Sequence, residues 1–237
     1  MVHTPLGRPL LKSEGDNPAK PGGVFFGWAD VNGVDFWSAA PAGEVGEIVP
    51  LAPEPEVIVR PKGIEIAQSM QWIRPDGSPL LHERRLLKVP IPEEQSIWYF
   101  DWIAELTARE QTVLGCGQKA MGLSLGFANA VSGGIFRDSR YRSGVDVESA
   151  LVEWMAYEAP DAACGAAIMQ GRRSPRPRSE YHLRQAPPSM ISAAFAYHAP
   201  YVIPAGETLA LKYRIGVYDG PIDMTALHVL YSAFLWS

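Results

Sequence analysis

Thr208–Tyr218 reads TLALKYRIGVY, and its alternation decides the fold. Leu209, Leu211, Tyr213, Ile215 and Val217 take every second position, with Ala210, Lys212, Arg214, Gly216 and Tyr218 between them. A period of two sends the two sets to opposite faces of a β-strand. Asp219-Gly220-Pro221 then stops it with turn-forming residues. The same pattern recurs on either side. Ile64–Arg74 and Pro79–Val89 flank Pro75-Asp76-Gly77, where Pro presets the first corner of a turn and Gly accepts the second. Cys164–Gln170 is a short, continuously apolar run that suits a central strand. Met121–Ala128, Ser149–Tyr157, Met190–Tyr197 and Tyr201–Ile203 are predicted strands too. Ser96–Thr107 opens aromatic and β-branched, which favours a strand, whereas Ile103–Arg109 also suits a helical turn. Near the end the period changes. Leu227, Leu230, Tyr231 and Phe234 fall at helical spacing behind Asp223 as N-cap, so residues 222–236 are expected to form one terminal helix.

The expected fold class is therefore all-β: a large antiparallel two-sheet β-sandwich in a single domain, 1–237, behind an extended lead-in over 1–21. The length suffices for a large core, and 47% apolar with 20% charged residues is ordinary for a soluble chain. The net charge of -5 argues against nucleic acid as a partner. No run reaches the roughly 18–20 apolar residues of a membrane helix, and no basic-then-apolar leader opens the chain, so no membrane association and a cytoplasmic location are expected. Cys116 and Cys164 have no metal-ligand spacing; a disulfide or two buried thiols are both open. The five His are dispersed, and no P-loop, dinucleotide fingerprint, HExxH, paired CxxC or nucleophile elbow occurs. No metal and no cofactor are expected.

Gly23–Ser38, GVFFGWADVNGVDFWS, has the form of a strand, a turn at Asp30, Asn32 and Gly33, and a second strand. Trp28, Trp37 and Trp72 could stack on a sugar ring or fill the core. Asp35, between bulky apolar neighbours, needs a partner or a ligand, and Asp101 raises the same question.

This stretch, read with WIRPDGSPLLHERR (Trp72–Arg85), WYFDWIAELTA (Trp98–Ala108), GG-x3-DS (Gly133–Ser139), VEWMAYEA (Val152–Ala159), RSPRPRSEYHLR (Arg173–Arg184) and AGETLALKYRIGVYDG (Ala205–Gly220), resembles the bacterial PmoA-like family. The resemblance implies a β-sandwich akin to galactose mutarotases and other sugar-active proteins, with a carbohydrate or sugar-derived ligand and isomerase, lyase or hydrolase chemistry open to it. The methane-oxidation name carried by that family fits poorly, because this sequence has neither membrane helices nor a cluster of copper ligands. Family members carry a run resembling HPHHRGL before the aromatic strand, whereas Pro18–Val24 contains neither His nor Arg. The chain also starts late relative to the family, so first strands of the sandwich are expected to be missing. A non-catalytic interaction sandwich is the alternative reading, and an open sheet edge offers a route to a homo-oligomer.

Acid–base chemistry on a sugar needs a carboxylate and an imidazole. His182 in SEYHLR is the candidate acid, placed in a loop, with Glu83 or Glu153 as base. Arg137, Arg178 and Arg184 are candidates to hold hydroxyls or a carboxylate, the last two within a run that also contains Arg172, Arg173 and Arg176. The plainer alternatives are a solvated basic loop and a Glu83–Arg85 pair on an exposed face. The ligand is expected on the concave face of one sheet, near Trp37, Glu83 and His182.

Overall fold

In the computed structural model, residues 2–11, 23–38, 43–92, 97–117, 121–147, 151–172, 174–176, 178–185 and 187–237 are described. Their strands build two antiparallel layers. The larger has nine strands and runs β2 (Glu47–Pro50), β4 (Gly63–Ile73), β5 (Pro79–Pro90), β6 (Ile97–Ala108), β15 (Thr208–Asp219), β11 (Cys164–Gln170), β10 (Trp154–Glu158) and β9 (Ile135–Asp138). Its ninth strand, β3 (Glu56–Arg60), also pairs with β4. The smaller layer is β1 (Gly23–Trp28), β8 (Met121–Gly126), β13 (Met190–Ala194) and β12 (Glu180–Arg184). A short pair, β7 (Thr112–Leu114) and β14 (Tyr201–Ile203), lies apart from both. The all-β sandwich expected from the alternation is what forms.

β15 is central to the large sheet, and its two faces do different work. Leu209, Leu211, Tyr213 and Ile215 point inward, in register with Leu106, Ala104, Trp102 and Phe100 of β6. They meet Phe26, Leu123, Leu125 and Ile191 of the small sheet in one apolar core. Outward, Tyr218 with Ile97, Trp154 and Met169 lies under the α-helix α1 (Met224–Leu235), which buries Leu227, Leu230 and Phe234 against them. Asp223 caps α1 as expected, its carboxylate accepting from Ala226 N at 2.9 Å.

Several elements depart from the sequence reading. The second arm of Gly23–Ser38 is not a strand. Val31 and Val34 bridge across Asn32 and Gly33, which take φ of 50° and 81° as a tight reversal demands, but β1 pairs with β8 instead. The reason is Asp35: one carboxylate oxygen accepts from the amides of Trp37 at 2.7 Å and Ser38 at 3.0 Å, which curls the backbone away from a ladder. Ile103–Arg109 forms no helical turn, because Ile103–Thr107 pairs with β5 and β15 on both sides. Of the run at 149–157, residues 149 and 150 lie outside the described residues, and β10 starts at Trp154. His182 lies in β12 rather than in a loop.

Of the expected lead-in, residues 12–21 lie outside the described residues, whereas Leu10 and Leu11 are fully buried. Thr4 Oγ1 and the Leu6 amide donate to Asp219 at 2.6 and 2.7 Å, tying this segment to the end of β15. Both cysteines are free, Cys164 buried and Cys116 exposed, so neither the disulfide nor the pair of buried thiols is what forms. No helix among the described residues is long and apolar enough to cross a membrane.

Candidate functional site

The three candidate acid–base residues occupy three different places. Glu83 sits on the inward face of β5, in register with Met70 and Leu106, and is fully buried. Its carboxylate accepts from Trp72 Nε1 at 2.9 Å and from Arg85 at 2.7 and 3.1 Å. Those bonds satisfy it inside the core, not on the exposed face. His182 points the other way, outward from the small sheet, in the row Phe25, Ser124, Ser192, His182. Its ring is stacked with Tyr197 at 22°, the centroids 6.4 Å apart. The core layer therefore separates His182 from Glu83.

Trp28 is core: it is fully buried, and its Nε1 donates to Gly115 O at 3.1 Å. Trp37 packs on Phe25, centroids 4.6 Å apart, and so shares the outward face with His182. Phe25, which carries Trp37, and His182 stand at opposite edges of a four-stranded sheet, about 14 Å apart by strand spacing. Asp35 is engaged in its turn, and Arg184 Nε donates to Pro188 O at 2.9 Å. Arg137 reaches Glu158 at 3.6 Å, and Glu158 in turn accepts from the Ile222 amide at 2.8 Å, holding the approach to α1. Asp101 is paired with Arg214 through two bonds, 2.6 and 3.0 Å, in the buried layer under the helix.

Glu153 and Arg178 do come together. Glu153 immediately precedes β10, and Arg178 Nε donates to it at 2.8 Å while Ser139 Oγ donates at 2.7 Å. Burial by itself would push this carboxyl pKa up, but the bonds from Ser139 and Arg178 outweigh it and hold the pKa below the usual glutamate value. The pair lines a surface cleft of about 570 Å³ together with Arg172, Arg176, Tyr231 and two leucines, Leu151 and Leu235. Three arginines and one glutamate thus line the cleft among the described residues, and of the three Arg178 is the one bonded to Glu153. Arg172 lies over the Trp236 ring at 5.1 Å. Arg176 donates to the carbonyls of Phe195 and Ala199 at 2.7 and 3.2 Å. Tyr231 comes from α1, its phenol pKa raised first by burial and then by the nearby Glu153 charge.

The cleft gathers parts of the chain far apart in sequence. Its arginine loop follows β11, and the Val152–Ser179 bridge pulls that loop onto the segment carrying Glu153. Arg173 lies outside the described residues. The sequence reading missed Tyr231, because its helical spacing marks it equally well as core. It also missed the contact between Glu180 and His198, where the carboxylate accepts from the imidazole. Eighteen residues separate that pair, and no local pattern could announce it. Among the described residues, no group of three or more His, Cys, Asp or Glu is placed to hold a metal ion.

A cleft of this size falls within the range of small-molecule sites, and its makeup suits an anion bearing hydroxyls. Guanidinium groups pair with carboxylates, while phenol and carboxylate oxygens take hydroxyl hydrogen bonds.

No curated protein matches the chain. Solved structures with a similar trace share little sequence. The Slr1438 protein from Synechocystis sp. PCC 6803 is 7% identical with a TM-score of 0.47, over 90% of this chain and 86% of that one. The alpha-galactosidase from Lactobacillus brevis is 13% identical, TM-score 0.45, over 76% of this chain and 27% of that one. The heparan sulfate lyase HepC from Pedobacter heparinus is 9% identical, TM-score 0.42, over 75% and 22%. This chain therefore matches well under two thirds of the length of the galactosidase and the lyase. Residues 2–232 match the family described as "Family of unknown function (DUF6807)", and the chain belongs to that family.

Proposed function

We propose that this protein binds a carbohydrate or sugar-derived ligand carrying a carboxylate, in the cleft of Glu153, Arg172, Arg176, Arg178 and Tyr231. The observation that carries the reading is the excess of guanidinium groups over carboxylates in a cleft that also offers a phenol and two leucines. An acidic sugar has a matching anion, hydroxyls for Glu153 and Tyr231, and an apolar ring face for the leucines. The resemblance of the ordered motifs to the PmoA-like family points to the same ligand class.

Calorimetry against D-glucuronate, D-galacturonate and D-glucose tests this. The uronates are expected to bind and glucose to bind far more weakly. Arg178→Ala and Arg172→Ala should each weaken uronate binding by about 10–100-fold, the usual worth of a charged hydrogen bond. His182→Ala should leave it unchanged. Loss of binding in His182→Ala, with the arginine variants unaffected, would move the ligand to the outward face of the small sheet.

A further inference from the structure

We propose that His198 transfers a proton to and from the ligand of the arginine cleft, with Glu180 as its positioning residue; the assignment rests on the carboxylated-sugar reading above. Glu180 opens β12 opposite Ala194 and is only 4% exposed, yet the imidazole it holds is 62% exposed at its side chain. One carboxylate oxygen accepts from His198 Nε2. The other is buried and meets no hydrogen-bond partner among the described residues. A buried carboxylate costs several kcal/mol to desolvate, and a half-satisfied one recovers little of that. For strand packing alone, an apolar residue at 180 would serve better. The arrangement makes sense as a steering group for an imidazole at the surface.

The histidine loop is also held firmly. After β13 the chain folds back through Phe195–Pro200, with Tyr197 N donating to Ala194 O at 3.0 Å and Tyr197 O accepting from Gly117 N at 3.2 Å. Arg176 clamps the same loop through Phe195 O and Ala199 O, and Arg176 lines the cleft. One arginine therefore joins the cleft to the loop that carries His198. With Nε2–H committed to Glu180, Nδ1 is the ring's base, and the carboxylate behind it stabilises the imidazolium once a proton arrives.

The chemistry this geometry serves is proton exchange at the carbon beside the ligand's carboxylate. Pairing that carboxylate with guanidinium groups acidifies the adjacent C–H. Nδ1 takes the proton, and the C–H electron pair moves into the carboxyl group as an enediolate held by the arginines. The imidazolium returns a proton to the same carbon, restoring both ligand and ring. No oxidant, reductant or leaving group is needed.

The test is proton NMR of D-glucuronate in D2O with the full chain, following loss of the H5 signal, alongside calorimetry on the same samples. Wild type should exchange H5, and D-glucose should show no exchange. His198→Ala should slow exchange by about 10²–10⁴-fold while uronate still binds, with rate restored in part by added imidazole. Glu180→Gln should slow exchange and move the lower limb of its pH–rate profile. Uronate that binds without exchanging, or exchange at the wild-type rate in His198→Ala, would overturn the role of His198 and leave the binding reading standing. Absence of binding would overturn that reading, and the role of His198 with it.

Discussion

Trp72 and Glu83 are joined across neighbouring strands, the indole Nε1 donating to the carboxylate at 2.9 Å inside the sandwich. Arg85 completes the group, its guanidinium bonded to Glu83 and stacked 4.7 Å from the Trp102 ring centroid. Removing the carboxylate leaves a largely buried cation and a buried N–H without their acceptor. Glu83→Ala is thus expected to cost about 3–5 kcal/mol in urea denaturation, and Glu83→Gln less, because the amide oxygen can still accept from Trp72. A cost under about 1 kcal/mol, coupled to lost uronate binding, would return Glu83 to the ligand site.

Glu153 offers a measurement that needs no ligand. Its folded-state pKa is depressed, so the carboxylate contributes stability that is full above the ordinary value of 4.5 and is lost as pH falls through the folded value. Carbon-13 NMR should place its midpoint below 4.5. Arg178→Ala should raise the midpoint, since burial persists when a charge partner is gone. A wild-type midpoint at or above 4.5 would mean that Ser139 and Arg178 do not hold it in solution.

The terminal helix separates capping from packing. Asp223→Ala removes one cap bond and is expected to cost about 1 kcal/mol. Phe234 is 2% exposed, with Lys212 Nζ and Arg214 Cζ each 4.8 Å from its ring centroid. Phe234→Ala should therefore cost about 3–5 kcal/mol by thermal denaturation. Equal costs for the two variants would show that α1 is not docked on the large sheet.

The two thiols should react very differently. Cys116 is exposed, whereas Cys164 is buried in β11, its pKa raised first by burial and then by the nearby Asp161 charge. A disulfide reagent is expected to modify one thiol of the native protein quickly and the second only on unfolding. Cys116→Ser should abolish the fast phase. Two fast thiols would show that β11 opens readily.

What was legible in the sequence was local. Leu209 to Val217 alternate, so the strand could be read without knowing its partners. Pro75-Asp76-Gly77 names its own hairpin, and Asp223 with Leu227, Leu230 and Phe234 names its own helix. Within the candidate cleft, Glu153 and Arg178 were visible as residue types but not as a pair. The bridge that joins their segments links Val152 to Ser179, and no spacing rule spans that distance.

Residue order by itself determined the layers: period-two burial sets which side chains face inward, and that requires only a chain alternating apolar and polar groups. Tertiary structure alone decided partners and environments. It paired β1 with β8 instead of with its own sequence neighbour, because Asp35 captured the amides that a second strand would need. It sank Glu83 into the core while leaving Glu153 at a cleft, and it set the His198 imidazole over Glu180. Charge, solvation and reach depend on what comes close in space, and closeness between distant segments arises only when the sheets close over the core.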